Sequence, residues 1–392
     1  MSVARLRVVV AGLGDTGVLT AMHLARHADV VGIATKPGLV SGQELGLRLA
    51  RPEQWSEDYW IGFDRLRGLD RVEVRTGRAV HLDREARSVT VEAADGTRTD
   101  ERYDALVIST GVSNGFWRDA GIEDASGVAE RLRDAHVTLA RAASIVVVGA
   151  GAAGVSSAYN AAVRWPDATV DLYFPGEAAL PQHHRRVWRD LAGRLRAVGV
   201  GLHPGHRAVV PDEAATGIGA GPVAWSTGQA PTEADAVLWT VGRVRPHTDW
   251  LPAELLDEHG FVRVRPTLQT ALDGRVFAVG DVAATDPLRS SARNRADRLL
   301  ARNVRAVLDA GTGAGGAGAG GGPGDLDSFT APRRRWGSVL GFQDDGLRIY
   351  APDGRSFRVP RWSVDRLLKP VVVRRGIYGG IRPRRAKAPL TR

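Results

Sequence analysis

A glycine-rich stretch near the start of the chain has the residue types and spacing that bind nucleotide phosphates. Gly12, Gly14 and Gly17 follow the β-branched run of "RVVVAGLGDTG" and precede an Ala- and Leu-rich stretch. In such a unit the first glycine permits a tight turn, the second lets the backbone approach a pyrophosphate, and the third allows close helix packing. The N-terminus of the following helix adds free backbone N–H groups.

A second copy of this motif begins far along the chain, at Ser144. "SIVVVGAGAAG" places Gly149, Gly151 and Gly154 at the same spacing, again after a buried-strand pattern. One copy alone is weak evidence, because glycine-rich turns also serve plain packing. Two copies in the same context predict two bound dinucleotides.

A carboxylate ends a third apolar run. "TALDGRVFAVGD" (270–281) finishes in Gly280 and Asp281. The end of such a strand lies at the carboxyl edge of a parallel sheet, where ligands bind in these folds. The structural alternative for Asp281 is a helix N-cap. Together with the two glycine-rich turns, the position favours a ligand-binding role.

Alternating strands and helices must position these residues. The hydrophobic runs predict two βαβ units, a three-stranded meander, and a final strand followed by a long helix. The predicted strands are 7–11, 30–34, 72–80, 87–93, 97–103, 103–111, one from Ser144, 168–174, 233–243 and 275–284, and the helical stretches are 17–28, 41–68, 128–142 and one ending near Leu308. This pattern predicts an α/β fold with parallel sheets.

The composition indicates a globular protein without thiol chemistry. The chain has 392 residues, long enough for two or three domains, and no cysteine. Disulfides, Cys-ligated metals and dithiol redox centres are therefore excluded. The ten histidines show no metal-binding spacing, so no metal site is predicted. We see no secretory signal and no run of about 18 apolar residues, which predicts a cytoplasmic protein.

The net charge of +9 is concentrated at the C-terminus. Residues 361–392 hold ten basic residues and one acidic residue, Asp365, so the rest of the chain is neutral overall. We therefore predict no nucleic-acid partner. Apolar residues are interspersed with the basic ones, and two interpretations stay open. Residues 361–380 either contact an anionic membrane surface, at the inner face of the cytoplasmic membrane, or pack on the protein body or on a second copy in a homodimer.

The order of these motifs resembles that of the two-dinucleotide-binding-domain flavoproteins, the pyridine nucleotide–disulfide oxidoreductase superfamily. "YDALVISTG" (103–111) and "ADAVLWTVGRVRP" match two further segments of that family, and the resemblance covers residues 5–310. It implies two Rossmann-like, three-layer ββα domains: an FAD domain from 1–113 and 244–310, and an NAD(P)H domain from 114–243 inserted into it. A Gly-rich linker (311–324) and a small β-rich C-terminal segment with a basic tail (325–392) complete the chain.

The resemblance also implies the cofactors and their binding residues. FAD is the first cofactor, and NADH or NADPH is the second. Asp281 is implied to hydrogen-bond the ribitol of FAD. Catalytic residues stay unassigned, because hydride transfer between bound cofactors depends on positioning more than on acid–base groups. The implied binding residues are Gly12, Leu13, Gly14, Asp15, Thr16, Gly17, Thr35, Lys36, Thr110, Gly111, Gly149, Gly151, Ala152, Ala153, Gly154, Gly242, Gly280 and Asp281.

Within the superfamily, the chain is most similar to the cysteine-free branch of type II NADH dehydrogenases, apoptosis-inducing factors and ferroptosis suppressors. That similarity implies an FAD-dependent NAD(P)H oxidoreductase that passes electrons to a small quinone-like acceptor. Thr35 and Phe174 stand where the family has ribose-binding acids, and Ser156 stands where it has a glutamate near the nicotinamide. Two alternatives therefore stay open: a tailoring flavoenzyme of specialised metabolism, or a low-turnover protein with structural or sensing FAD.

Two smaller groups of residues have competing interpretations. His183, His184, Arg185 and Arg186 could bind the 2′-phosphate of NADPH, although a solvated helix start is the preferred interpretation. The aromatic residues at 55, 59 and 60 could line an acceptor pocket beside the flavin or pack in the core.

Overall fold

Two parallel sheets carry the two glycine-rich turns. The computed structural model describes residues 5–40, 45–58, 60–113, 120–211, 217–241, 244–289, 295–311 and 326–383. In chain order the strands and helices are β1 (Arg7–Ala11), α1 (Asp15–Leu24), β2 (Asp29–Ala34), β3 (Gly38–Val40), α2 (Leu45–Ala50), α3 (Pro52–Asp58), β4 (Trp60–Gly62), β5 (Val72–Thr76), β6 (Arg78–Asp83), β7 (Ser88–Glu92), β8 (Arg98–Arg102), β9 (Ala105–Ile108), β10 (Val112–Ser113), α4 (Ala125–Arg141), β11 (Ser144–Val148), α5 (Ala152–Arg164), β12 (Thr169–Tyr173), α6 (Arg185–Ala197), β13 (Gly201–His203), β14 (Ala236–Trp239), β15 (Arg245–Pro246), β16 (Val276–Ala278), α7 (Ala296–Gly311), β17 (Phe342–Gln343), β18 (Gly346–Tyr350), β19 (Ser356–Val359) and α8 (Arg361–Ser363), which continues as a π-helix over Val364–Ile377.

The first sheet has the strand order β16–β9–β1–β2–β5, and all its strand pairs are parallel. Val8, Val9 and Val10 of β1 are fully buried, because α1 and α7 pack on one face of the sheet and strands β6 and β7 pack on the other. A continuous apolar run is the pattern expected of such a strand. The carboxyl ends of β2, β1, β9 and β16 consequently form one edge of this sheet.

The second sheet has the order β13–β12–β11–β14 and is also parallel. The chain leaves the first sheet through β10 and returns through β15. These two short strands pair antiparallel, with Val112 opposite Pro246. The second sheet is thus built from a segment that interrupts the first.

Two sequence predictions need correction. Residues 72–80 do not form one strand of a meander: β5 joins the parallel sheet beside β2, and β6 begins the antiparallel sheet β6–β7–β8. The chain turns at Gly77, where a Cβ would meet Val91 and Glu92. Residues 41–68 are also less helical than predicted. The chain pairs β4 with β3 after the short helices α2 and α3.

The C-terminal segment forms the antiparallel sheet β17–β18–β19 and a terminal helix. Residues 312–325, which contain most of the predicted linker, and residues 384–392 of the basic tail lie outside the described residues. Trp362 and Leu367 of the terminal helix are exposed. After the helix, Ile381 forms an isolated β-bridge with Leu66, which follows β4. The exposed apolar residues are expected if this segment contacts a membrane. The bridge at Ile381 is expected if it packs on the protein body. Among the described ranges, no helix combines the length and apolar character needed to cross a membrane.

Candidate cofactor-binding site

The first glycine-rich turn is fixed by hydrogen bonds from both neighbouring strands. The N–H of Gly12 donates to Ile33 O at 2.9 Å, and the Ser109 hydroxyl donates to Gly12 O at 2.6 Å. Gly12 has φ +102°, and a Cβ there would collide with the Ser109 backbone. A Cβ on Gly14, by contrast, would meet no atom within 4 Å. The backbone before α1 is therefore open to a ligand, as a phosphate-binding turn requires.

A cavity of about 530 Å³ begins at this turn. Its volume lies within the range of about 300–1,000 Å³ that is usual for cofactor sites. Every residue that the sequence analysis placed in the FAD site lines it. These residues are Gly12, Leu13, Gly14, Asp15, Thr16, Gly17, Thr35, Lys36, Thr110, Gly111, Gly280 and Asp281.

The strand order brings these separated residues to one place. Thr35 follows β2, Thr110 follows β9, and Asp281 follows β16, and each of these strands ends at the same sheet edge. Gly280 has φ +88°, and a Cβ there would lie 3.6 Å from Thr16. A glycine therefore keeps the backbone close to α1 while it presents the Asp281 side chain to the cavity.

Several cavity residues were missed by sequence reasoning. Arg48 of α2, Arg78 of β6, Arg98 of β8 and Arg289 line the cavity. No motif marks these residues, because they come from elements that only the tertiary structure brings to the sheet edge. Arg78 and Arg98 both pair with the Glu92 carboxylate. Guanidinium groups are nevertheless common donors to a ligand that carries a pyrophosphate. With the open glycine turn and the cavity volume, these residues fit FAD.

A further residue that sequence reasoning missed lies beside the position predicted for the adenosine of FAD. Thr35 replaces the acid that the family resemblance led us to expect at the end of β2. Glu123, from the segment before α4, donates its N–H to Thr35 O at 2.9 Å, and its carboxylate lies 3.3 Å from Lys36 Nζ. A carboxylate is therefore present near this position, but it is supplied by a distant part of the chain.

The second glycine-rich turn has the same construction as the first. The N–H of Gly149 donates to Tyr173 O, and the Thr240 hydroxyl donates to Gly149 O at 2.8 Å. A Cβ on Gly151 would meet no atom within 4 Å, whereas Gly154 packs against the Gly149 carbonyl. The remaining predicted residues at this turn are Ala152 and Ala153, which begin α5, and Gly242, which lies outside the described residues.

The two departures in the second unit differ in their surroundings. Ser156 is fully buried, and its backbone carbonyl lies against Gly46 of α2. Phe174 is 3% exposed and packs edge-on against Trp188 of α6, with ring centroids 5.6 Å apart. Its side chain therefore belongs to the core rather than to a ribose pocket.

Trp55 and His184, one from each of the two smaller groups, both make contacts within the protein. Trp55 is 2% exposed, and its ring faces the Arg48 guanidinium at 4.6 Å, in a core cluster with Val128 and Leu132. It packs in the core and does not line the cavity. His184 caps α6 by accepting a hydrogen bond from the Arg186 N–H. Partial burial, Arg334, Arg186 and Arg185 together lower the pKa of His184 below its ordinary value.

The sequence of residues 6–305 matches the family model described as pyridine nucleotide-disulphide oxidoreductase. The chain belongs to this family. It is 28% identical over 262 residues to "Oxidoreductase ptaL" of Pestalotiopsis fici. The matched region covers 65% of this chain and 66% of that relative, so the chain spans just under two thirds of the relative's length. It is 25% identical over 323 residues to "Fe-regulated protein 8" of Mycosarcoma maydis, covering 78% of this chain and 77% of the relative.

Solved structures show the same fold. The Bacillus anthracis CoADR-RHD structure matches with a TM-score of 0.60 at 18% identity. The match covers 78% of this chain and 58% of the CoADR-RHD chain. The ferredoxin reductase for the CYP199A2 system of Rhodopseudomonas palustris has a TM-score of 0.58 at 23% identity and covers 84% of this chain and 78% of its own.

These findings confirm the predicted superfamily, the α/β fold class with two Rossmann-like domains, and the cofactors, FAD with NADH or NADPH.

Proposed function

We propose that this protein transfers electrons from NAD(P)H through FAD to a small quinone-like acceptor. The observation that carries the proposal is the cavity at the first sheet edge, because every residue predicted for FAD lines it. A second, similarly built glycine-rich turn supports a second nucleotide in the inserted domain. The domain boundaries that go with this proposal are 1–113 and 244–310 for FAD, 114–243 for NAD(P)H, 311–324 for the linker and 325–392 for the C-terminal segment.

The residues of this chain have separate tasks in this reaction. The turn at Gly12–Gly17 holds the FAD pyrophosphate, and Thr35 and Lys36 contact its adenosine. Asp281 accepts hydrogen bonds from the ribitol, and the turn at Gly149–Gly154 holds the NAD(P)H pyrophosphate. Bound FAD supplies the two-electron chemistry. The protein's contribution is to orient the two cofactors and to exclude water between them.

The absence of cysteine narrows the class of acceptor. The chain contains no cysteine, so no dithiol of this chain can relay electrons from the flavin. The acceptor must therefore take its electrons from the flavin directly. A small planar quinone satisfies this requirement, and the reaction then needs no further group from the protein.

Anaerobic mixing with NADH and with NADPH tests the first half of the reaction. We expect the purified protein to carry FAD and its flavin absorbance to bleach rapidly with at least one of the two nucleotides. Bound FAD that does not bleach would contradict the proposal and favour structural or sensing FAD. Reoxidation of the bleached protein by short-chain quinones, by small iron–sulfur proteins and by oxygen then identifies the acceptor. Turnover with none of these acceptors would favour an enzyme with one dedicated substrate.

The exposed side chains of the terminal helix support contact with an anionic membrane surface. Trp362 is 60% exposed, Leu367 52% and Val371 54%. Residues 361–392 contain ten basic residues and one acid, Asp365. An apolar face beside such a charge excess suits an interfacial helix, with each basic residue contributing about 1 kcal/mol near anionic lipid. We place the protein in the cytoplasm, at the inner face of the membrane.

Co-sedimentation with vesicles containing phosphatidylserine tests this contact. Binding should occur at low salt and weaken as the salt concentration rises. The double variant Trp362→Ser and Leu367→Ser should bind poorly, whereas Leu272→Ser, which changes an equally exposed leucine elsewhere, should bind normally. Absence of binding at low salt would leave the packing interpretation of the tail.

A further inference from the structure

The C-terminal segment passes from one nucleotide domain to the other through residues 326–341, which we call the crossing segment. At its start the N–H of Phe329 donates to Pro266 O, and Phe329 is buried in the core of the FAD domain. At its end Val339 and Leu340 are buried in the core of the NAD(P)H domain. Leu340 O also accepts a hydrogen bond from the buried side chain of Asn160 on α5, at 3.1 Å.

Arg335, in the middle of this segment, contacts both domains. Its N–H donates to Gln182 O at 2.9 Å, on the side of the NAD(P)H domain. Its guanidinium Nε donates to Leu288 O at 2.8 Å, on the side of the FAD domain. One half-buried residue therefore joins two loops that are more than a hundred residues apart in the sequence.

Each of the two loops adjoins one of the proposed cofactor sites. Leu288 precedes Arg289, which lines the FAD cavity. Gln182 lies two residues after Leu180, whose N–H donates to Ala150 O inside the second glycine-rich turn, at 2.9 Å. The bonds of Arg335 thus connect the wall of the FAD cavity to the turn proposed to hold NAD(P)H.

We infer that Arg335 is a positioning residue that fixes the second glycine-rich turn relative to the FAD cavity. The inference rests on the proposed transfer from NAD(P)H to FAD. Two cofactors on separate domains react only while the reacting atoms are held about 3–3.5 Å apart, and a displacement of about 1 Å can lower the rate by about a hundredfold. Other contacts also join the domains, so loss of one bond loosens their orientation without separating them.

The test compares Arg335→Met with Arg335→Lys and with Arg333→Met, a matched control on an exposed arginine of the same segment. Arg335 does not line the cavity, so all three variants should retain FAD as the parent protein does. The rate of anaerobic flavin reduction at saturating NAD(P)H should fall about tenfold in Arg335→Met, because a hydrogen bond from a charged donor is lost. Arg335→Lys should recover part of that rate, and Arg333→Met should keep all of it.

A second measurement does not depend on the reaction. Amide hydrogen exchange should increase in Arg335→Met at residues 284–289, where the side-chain bond to Leu288 O is lost, and not in Arg333→Met, with or without NAD(P)H. Residues 176–184 keep their bond from the Arg335 backbone N–H and serve as the internal comparison. Unchanged exchange together with an unchanged reduction rate would overturn the positioning role while leaving the proposed function intact. A parent protein whose flavin NAD(P)H cannot reduce would overturn both.

Discussion

Gly46 of α2 lies directly against the backbone carbonyl of Ser156 on α5. The carbonyl oxygen occupies the space that a Cβ at position 46 would need. This contact joins a helix beside the FAD cavity to the helix that follows the second glycine-rich turn. Ser156, which has no charge, is fully buried under it. The glutamate that the resemblance led us to expect at this position would bring a charge into the same buried space.

Gly46→Ala should therefore destabilise the protein. The added methyl group would overlap Ser156 O, and overpacking of this kind typically costs about 1–3 kcal/mol in the free energy of unfolding. Gly193→Ala, on α6, is the matched control: a Cβ there meets no atom within 4 Å, so the change should stabilise by about 0.5–1 kcal/mol. Urea unfolding of both variants measures the difference. Equal stability of the two would contradict the close α2–α5 contact.

Asp281→Asn should weaken FAD retention while the fold is kept. A charge-assisted hydrogen bond contributes about 1.5–3 kcal/mol, which corresponds to about a tenfold to hundredfold increase in the Kd of FAD. The Kd is measured by fluorescence titration of the apoprotein. Asp167→Asn, at an exposed turn of the other domain, serves as the control and should bind FAD normally. Tight FAD binding by the Asp281 variant would remove this residue from the proposed site.

The protein should discriminate little between NADH and NADPH, or should favour NADPH modestly. Phe174 lies in the core and offers no carboxylate to repel a 2′-phosphate, and Arg185 and Arg186 begin the helix after β12. Binding of the 2′-phosphate by Arg185 and Arg186, the alternative to a solvated helix start, predicts that Arg185→Met and Arg186→Met raise the KM for NADPH but not for NADH, with Arg189→Met as the control on the same helix. A parent preference for NADH above about a hundredfold, or about 2.7 kcal/mol, would mean that another residue selects the nucleotide.

Tyr103 should make the protein less stable at alkaline pH. Burial, with Asp273 as a smaller contribution, raises the pKa of Tyr103 to about 12, whereas an unfolded tyrosine titrates near 10. The unfolded state therefore loses its proton first, and the free energy of unfolding falls as the pH rises from 10 towards 12. At pH 11 the loss is about 1 kcal/mol.

Tyr103→Phe removes this titration. The hydroxyl of Tyr103 is buried and has no hydrogen-bond partner among the described residues, so the variant should match or exceed the parent at pH 8. Its advantage should grow between pH 9 and pH 11 in urea unfolding. Parallel curves for the two proteins would show that Tyr103 ionises as freely in the folded state as in the unfolded one.

The sequence by itself determined the two turns and the chemistry they allow. Gly12 and Gly149 are required by local backbone geometry, since each has a positive φ. Such requirements depend on a few adjacent residues, so they can be read from spacing. The absence of cysteine likewise excluded dithiol chemistry without any structural information. The domain boundaries and the role of each binding residue stay predictions.

Only the tertiary structure decided which distant residues meet at the sheet edge. β5 pairs with β2 in the parallel sheet, although the hydrophobic run at 72–80 predicted one strand of a meander. Arg48, Arg289 and Glu123 reach the cavity or its edge from segments whose own sequence gives no indication of it. The two contacts of Arg335 depend on loops far apart in the chain. Local sterics act between neighbours in sequence, whereas these positions follow from burial and hydrogen bonding across the whole fold.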